Sequence, residues 1–485
     1  MGVNGGARRA GSGRASGATA GRGRWSRAIA RFVTATAVVA VAVPAAAGTQ
    51  PRWNTRVLAQ VPPPGYPAKA YVDPHGRLWE GTYVDFNGST LPSKVFQFDG
   101  NSGAIVREFT VQGQQLEKPH GVQVATSDAK GRLVLLDRSR AIILDPKSGR
   151  QTTYATFPQV SLCSSPGAQV GSCSRASREA DSFADYGAWG PDGSLYVTDY
   201  AQALVWRVPP GGGTPRVWLT DAQLEGGGMG SAAAGAFAGF GTAGIWLLPD
   251  HRTFLISQAS VVHSTDPTSG ALFTTQIQPD GAPGPLKTLW TSRPTDLPDG
   301  FAVAKSGNIY LCAVGLAAQI IEIAPDGREL ERFPRLPLTG DNGSPVPFDQ
   351  PSGVAFLGTR LIVANQSSLT GDPAHQVLLD VEVGEQGQRE FIPANAGPVA
   401  ATVKPGSGVL ATIVARRGGR LTLRLSRALS GDAATLRVWV TAHGRVLARG
   451  TLRGRTLWLW LRRGVRLPAH IVLRGKHLRV AVRLR

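Results

Sequence analysis

The 485-residue chain lacks most of the features that mark a known catalytic class. It has three cysteines, with no CxxC pair and no Cys/His spacing suited to zinc. It has no G-x-S-x-G elbow, no H-E-x-x-H pair and no glycine-rich loop ending in Gly-Lys-Ser/Thr, so the usual serine-hydrolase, zincin and phosphate-loop signatures are missing. The glycine-rich stretch 226–241 therefore reads as a lid or a linker. The longest apolar run, Phe32–Val43 (FVTATAVVAVAV), holds 12 residues, too few to cross a bilayer core. No long segment repeats its apolar residues with a period of 3.6, which excludes an alternating βαβ chain.

Acidic residues are missing from both ends. Residues 1–48 carry seven Arg and no Asp or Glu, and residues 398–485 carry 17 Arg, two Lys and a single Asp. The stretch between them is mildly acidic, so the net charge of +19 belongs to the termini. That asymmetry predicts three parts: 1–48, 49–397 and 398–485. A basic segment, the Phe32–Val43 run and Pro44-Ala45-Ala46-Ala47 together read as a secretory signal peptide with a long basic n-region; the alternative is an uncleaved anchor. The expected location is secreted or cell-envelope associated. Export agrees with a disulfide between Cys163 and Cys173, which share one loop, leaving Cys312 as a buried free thiol.

The central part is built from one unit repeated six times. Its best copy begins at Leu297-Pro298-Asp299-Gly300 and runs through FAVAKSGNIYLCAV. The copies are Lys69–Val84, His120–Asp137, Asp185–Asp199, Ala243–Ser257, Asp299–Ala313 and Ser352–Asn365. Each is a short apolar strand, a Gly or Asp-Gly turn and a second strand. Two further strands joined by a Pro/Asp/Gly turn follow, as in QIIEIA, Pro325-Asp326-Gly327, ELERF. A loose period of about 55 residues made of short strands is the signature of a propeller. The fold class is all-β: a six-bladed β-propeller followed by a small C-terminal domain resembling a β-sandwich. Thr55–Val61 is expected to pair with the last blade, since the ring would otherwise leave an open edge.

The turns between first and second strands are short throughout. The long insertions, 158–184, 221–242, 336–351 and 366–375, all fall on the opposite face, where the inner strands begin. Aligning the units places Ala68, His120, Asp185, Ala243, Asp299 and Ser352 around the mouth of the central channel. Two carboxylates and an imidazole facing one axis suggest a bound cation, ordered water or acid–base chemistry, and a pair of Asp suits Ca²⁺ better than zinc. The alternatives are turn aspartates that accept backbone N–H groups and a rim histidine.

From Trp53 to Ile392 the chain resembles the gluconolactonase, regucalcin and strictosidine-synthase-like propeller superfamily. The resemblance rests on Pro298-Asp299-Gly300, the Gly307 turn and the inner YLCA strand, set in the repeated frame. It implies one divalent cation in the channel, Ca²⁺ by preference, and opening of lactones or related esters bound as small molecules in the mouth. It places Asp299 where the family has its metal-binding and catalytic Asp. Asp185 stands where the family has one Asn, Ala243 where it has the other, and Ala68 near its Glu. The expected site is thus Asp299 as the catalytic residue, Asp185 and Asp299 as metal ligands, and His120 and Ser352 beside them. The departures at Ala68 and Ala243 keep a second reading open, a non-enzymatic binding propeller of the NHL type.

The tail alternates apolar residues with Arg in strands such as LTLRLS, LRVWVTA and TLWLWL, which suits a sheet with one buried and one wet face. Its cationic face is expected to meet anionic cell-envelope polymers, and the alternative is a solvated face without a partner. No nucleic-acid recognition motif is present.

Overall fold

The computed structural model describes residues 50–83, 90–176, 179–224, 241–260 and 269–398 and, towards the C-terminus, 401–402, 409–417, 420–425, 435–442, 445–461, 470–475 and 478–484. The segment read as a signal peptide, 1–48, and most of the glycine-rich stretch 226–241 lie outside the described residues.

The repeated units fold into six four-stranded antiparallel sheets. The first five follow the chain directly. Their innermost strands are Tyr71–Val72, Gln123–Ser127, Ala184–Trp189, Thr242–Leu247 and Pro298–Val303. The sixth contains Pro351–Leu357, Arg360–Asn365 and Val377–Glu382, and its outer strand is Thr55–Gln60. Thr55 lies opposite Val381 and Gln60 opposite Val377, so the N-terminal strand covers an edge that would otherwise be unpaired. This is the arrangement of a β-propeller. Among the described residues the only helical turns are Ala222–Leu224 and Pro373–His375.

The Asp-Gly turns have a physical basis. Asp73 Oδ1 accepts from the N–H groups of His75 and Arg77, and Asp128 Oδ1 repeats this with Lys130 and Arg132. Each aspartate side chain adds to the backbone bond that closes its turn, Gly76 N–H to Asp73 O and Gly131 N–H to Asp128 O. The sheets pack through large side chains held away from water, Trp79, Trp189 and Trp206 among them, each contributing roughly 1.5–3 kcal/mol or more on burial. The glycines that mark the repeat lie where strands crowd the axis. A Cβ on Gly300 would stand 2.2 Å from the Tyr186 hydroxyl and 2.9 Å from Gly353 Cα, so only glycine fits there.

Residues 386–396, which follow the last strand, cross the short-turn face. Gln388 N–H donates to Val303 O at 2.8 Å, the Phe391 ring lies 4.1 Å from His251, and Asn395 donates to Asp192 O at 2.8 Å. The segment thus touches the turns of the fifth, fourth and third sheets in succession.

The C-terminal strands form one eight-stranded sheet rather than the two facing sheets expected. Leu478–Leu484 pairs with His470–Gly475 on one side and in parallel with Val409–Arg417 on the other. Seven strands therefore close on themselves, and Ala401–Thr402 adds to Leu478–Leu484. A closed sheet and a sandwich share the same alternation of buried and wet residues, so the sequence pattern could not separate them. Leu421, Leu423, Val438, Val440, Leu457 and Leu459 are buried.

Candidate functional site

Side chains from all six sheets meet at one end of the channel. Four of the inner strands that begin there start with a register irregularity: between Ala184 and Gly187, Thr242 and Ile245, Pro298 and Phe301, and Pro351 and Gly353. Such bulges re-aim the first side chains of a strand. Asp299 Oδ2 accepts a 2.6 Å hydrogen bond from the Ser352 hydroxyl of the next sheet, and its own carbonyl accepts from Ser257 Oγ at 2.6 Å. Asp185 Oδ1 accepts from Tyr83 Oη at 3.0 Å and from the Gln123 side-chain amide. Asp185 is buried, whereas Asp299 is only half-buried. Aromatic rings stand beside the pair: Tyr83 packs edge-on to Phe183 with centroids 5.4 Å apart, and Tyr200 lies 5.7 Å from Phe183.

The electrostatics follow from this burial. Desolvation pushes the Asp299 carboxyl up to about 7, against the pull of hydrogen bonds from Ser352, Tyr186 and the Gly300 N–H. Asp185 is held well above the usual carboxylate range, first by burial and then by the charge of Asp299, with Tyr83, Gln123 and Lys69 opposing. Two carboxylates sharing a desolvated site do not both ionise readily. Burial, and then the nearby aspartates, push Tyr200 up as well.

Tyr186 spans the channel beneath the pair. Its hydroxyl reaches Ser352 O in the sixth sheet at 3.3 Å, occupying the space left by Gly300 and Gly353. Below it lies buried Lys69, whose ammonium stands 5.2 Å from the Tyr186 ring centre, donates to Ala125 O at 2.5 Å and comes within 3.8 Å of Glu390 Oε1. Desolvation lowers Lys69, with Glu390, Asp185 and Glu80 opposing. Burial pushes the Glu80 carboxyl up to about 8. A cavity of about 340 Å³ opens on this side, lined by Lys69, Tyr186, Trp246, Phe301 and Glu390 and reached by the crossing segment.

The structure brings Asp185, Asp299 and Ser352 to one place. His120 does not join them through a contact. Its ring nitrogens lie 2.9 Å from Lys118 O and 2.6 Å from Leu91 O, which makes it a rim histidine bound to loop carbonyls. The expected cation at Asp185 and Asp299 finds little support in the donors present. Protein hydroxyls and an amide already occupy oxygens of both carboxylates, Ala68 and Ala243 offer no ligand, and Lys69 brings positive charge. Among the described residues no group of three His, Cys, Asp or Glu could hold a metal ion. These residues do not fit an oxygen-rich cage for a divalent cation. Sequence reasoning missed Tyr83, Gln123, Tyr186, Lys69 and Glu390; Lys69 stands one position beyond Ala68, the residue selected by alignment. Cys163 and Cys173 are bonded, and Cys312 is free and buried.

The topology and the site together define a β-propeller with a carboxylate pair at the channel mouth. Solved structures similar to the chain include a calcium-binding regucalcin from Agrobacterium tumefaciens, 15% identical, spanning 70% of this chain and 97% of that one with a TM-score of 0.45. A gluconolactonase from Xanthomonas campestris is 14% identical over 66% of this chain and 86% of its own, TM-score 0.38. A virginiamycin B lyase from Staphylococcus aureus is 13% identical over 66% and 82%, TM-score 0.39. Regucalcin and gluconolactonase are two of the three propeller types the sequence resembles, strictosidine-synthase-like propellers being the third. Identities this low carry no chemistry from one chain to another. No protein-family model and no curated protein matches the sequence.

Proposed function

We propose that the channel mouth of this six-bladed ring is a metal-independent acid–base site that opens a small lactone or related ester. The supporting observation is the Asp185/Asp299 pair, Asp185 buried and Asp299 half-buried at the more open position, with Asp299 poised at about 7. A base whose pKa lies near the working pH combines the right protonation state with useful basicity. Asp299 accepts a proton from water as the water oxygen bonds to the carbonyl carbon. The ring C–O bond then breaks, and the departing oxygen takes that proton back from Asp299. Asp185, whose burial favours its protonated form and which accepts from Tyr83, is the donor offered to the negative charge that develops. We further propose export of the chain, in keeping with the Cys163–Cys173 disulfide.

The non-enzymatic reading is favoured by a separate observation, the alanines at 68 and 243, which remove polar groups from the ring of first residues. The test is a panel of lactones and esters assayed after exhaustive chelation, with Asp299→Asn as the control. Turnover that survives chelation and is lost in the variant supports the acid–base site. Turnover restored only by Ca²⁺ refutes metal independence, and ligand binding without turnover leaves the binding propeller.

A further inference from the structure

The closed C-terminal sheet carries an unusual row on its outer face. Across neighbouring strands, Arg420 lies opposite Trp460, Trp460 opposite Arg449, Arg449 opposite Trp439, and Trp439 opposite Arg474. Four adjacent strands thus place Arg, Trp, Arg and Trp in a line running across the sheet, and the backbone register sets position 474 next in that line on the fifth strand. Strand neighbours stand about 4.8 Å apart, close enough for guanidinium and indole planes to stack. One such contact is formed, with the Arg420 guanidinium 5.4 Å from the Trp460 ring centre. The face is open to solvent: Trp439 is 38% and Trp460 48% exposed, and Arg420 and Arg449 are exposed.

Acidic residues are almost missing from the segment that carries this row. The single acidic residue of 398–485 is Asp432, which lies outside the described residues. We infer that the row is a binding ladder for a linear polysaccharide bearing a carboxylate or similar acid on its repeating unit. The arginines supply planar donors at regular intervals, and guanidinium recognises an oxyanion with two parallel N–H groups. Trp460 stacks with Arg420, and both tryptophans present apolar edges to sugar rings. A lipid surface fits less well, because the exposed large apolar residues described in this part are only Trp439, Val446 and Trp460, with no aliphatic cluster to enter a membrane. Single-stranded nucleic acid would also use stacking and positive charge, but a disulfide-bonded chain belongs to an oxidising compartment. The inference does not depend on chemistry at the channel mouth.

The test uses the full chain and immobilised polygalacturonate, with dextran as the neutral probe. Binding to polygalacturonate, weakened by salt, and none to dextran is expected. Arg449→Ala and Trp460→Ala should each lower affinity at least tenfold. Arg449→Lys should fall nearly as far, because it keeps the charge but loses the planar fork. Thr422→Ala, on a neighbouring position of the same strand set, should bind like the wild type. Each variant is checked by its melting curve, and Trp439→Ala replaces any that melts early. Full affinity in Arg449→Lys would overturn the ladder in favour of simple charge. Tighter binding to an oligo-dT strand or to phosphatidylglycerol vesicles than to polygalacturonate would overturn the assignment of the partner.

Discussion

The Ser352 hydroxyl donates to Oδ2 of Asp299 at 2.6 Å, joining the fifth and sixth sheets at the channel mouth. This bond favours the ionised form of Asp299 and opposes the burial that raises it. Ester or lactone hydrolysis should therefore rise with pH through about 7 as Asp299 loses its proton. Ser352→Ala removes a bond to the charged form, so the midpoint of the rate profile should move to higher pH. Asp299→Asn should lower kcat by about 10²–10⁴-fold, the usual contribution of a positioned base. Profiles of kcat against pH for the three proteins check this.

Asp185 holds a proton in the folded chain at pH values where the unfolded chain has released it, because burial and Asp299 raise it. The folded state then binds more protons, so stability falls as pH rises above the usual carboxylate range near 4. Asp185→Asn removes this dependence while keeping a side-chain oxygen for Tyr83 and Gln123. The variant should match the wild type at about pH 4 and become more stable than it by about pH 8. Denaturant midpoints across that range provide the measurement.

Gly300→Ala places a methyl group against the Tyr186 hydroxyl and the Gly353 backbone. Overpacking of this kind costs roughly 1–3 kcal/mol. The loss should be smaller when Tyr186→Phe, which lacks the obstructing hydroxyl, is combined with it. A double-mutant cycle on thermal stability separates the two contributions.

Thiol titration of the denatured, unreduced chain should find one reactive group, Cys312, because Cys163 and Cys173 are bonded. The bond closes a short loop of sequence separation 10, so reduction should cost about 2–3 kcal/mol.

Much of the frame was legible because its punctuation is chemical. Gly and Asp-Gly turns recur where a strand must reverse, and the Thr55–Val61 strand could be assigned because a ring of sheets needs its edge covered. Asp299 and Ser352 were legible as first residues of aligned units. Lys69 was not, since the inner strand of the first sheet is only Tyr71–Val72 and offers too little register to tell which neighbour turns inward. Glu390 lies in a segment without strand periodicity, so no repeat points to it. Nothing in the sequence separates Tyr186 from other strand aromatics, and only the close approach of Gly300 and Gly353 reveals that it spans the channel. His120 aligned with the ring, but the Leu91 and Lys118 carbonyls that hold it come from loops the repeat does not describe.

As the base at the channel mouth, Asp299 must exchange its proton near neutrality without a metal, which an infrared titration of the chelated protein with ¹³C-labelled aspartate reads from the carboxyl itself. Difference spectra against Asp299→Asn isolate its carboxyl band. The band should convert from acid to carboxylate at about pH 7, with no change when Ca²⁺ is added. A band already fully ionised at about pH 5, or one that shifts on adding Ca²⁺, would contradict it.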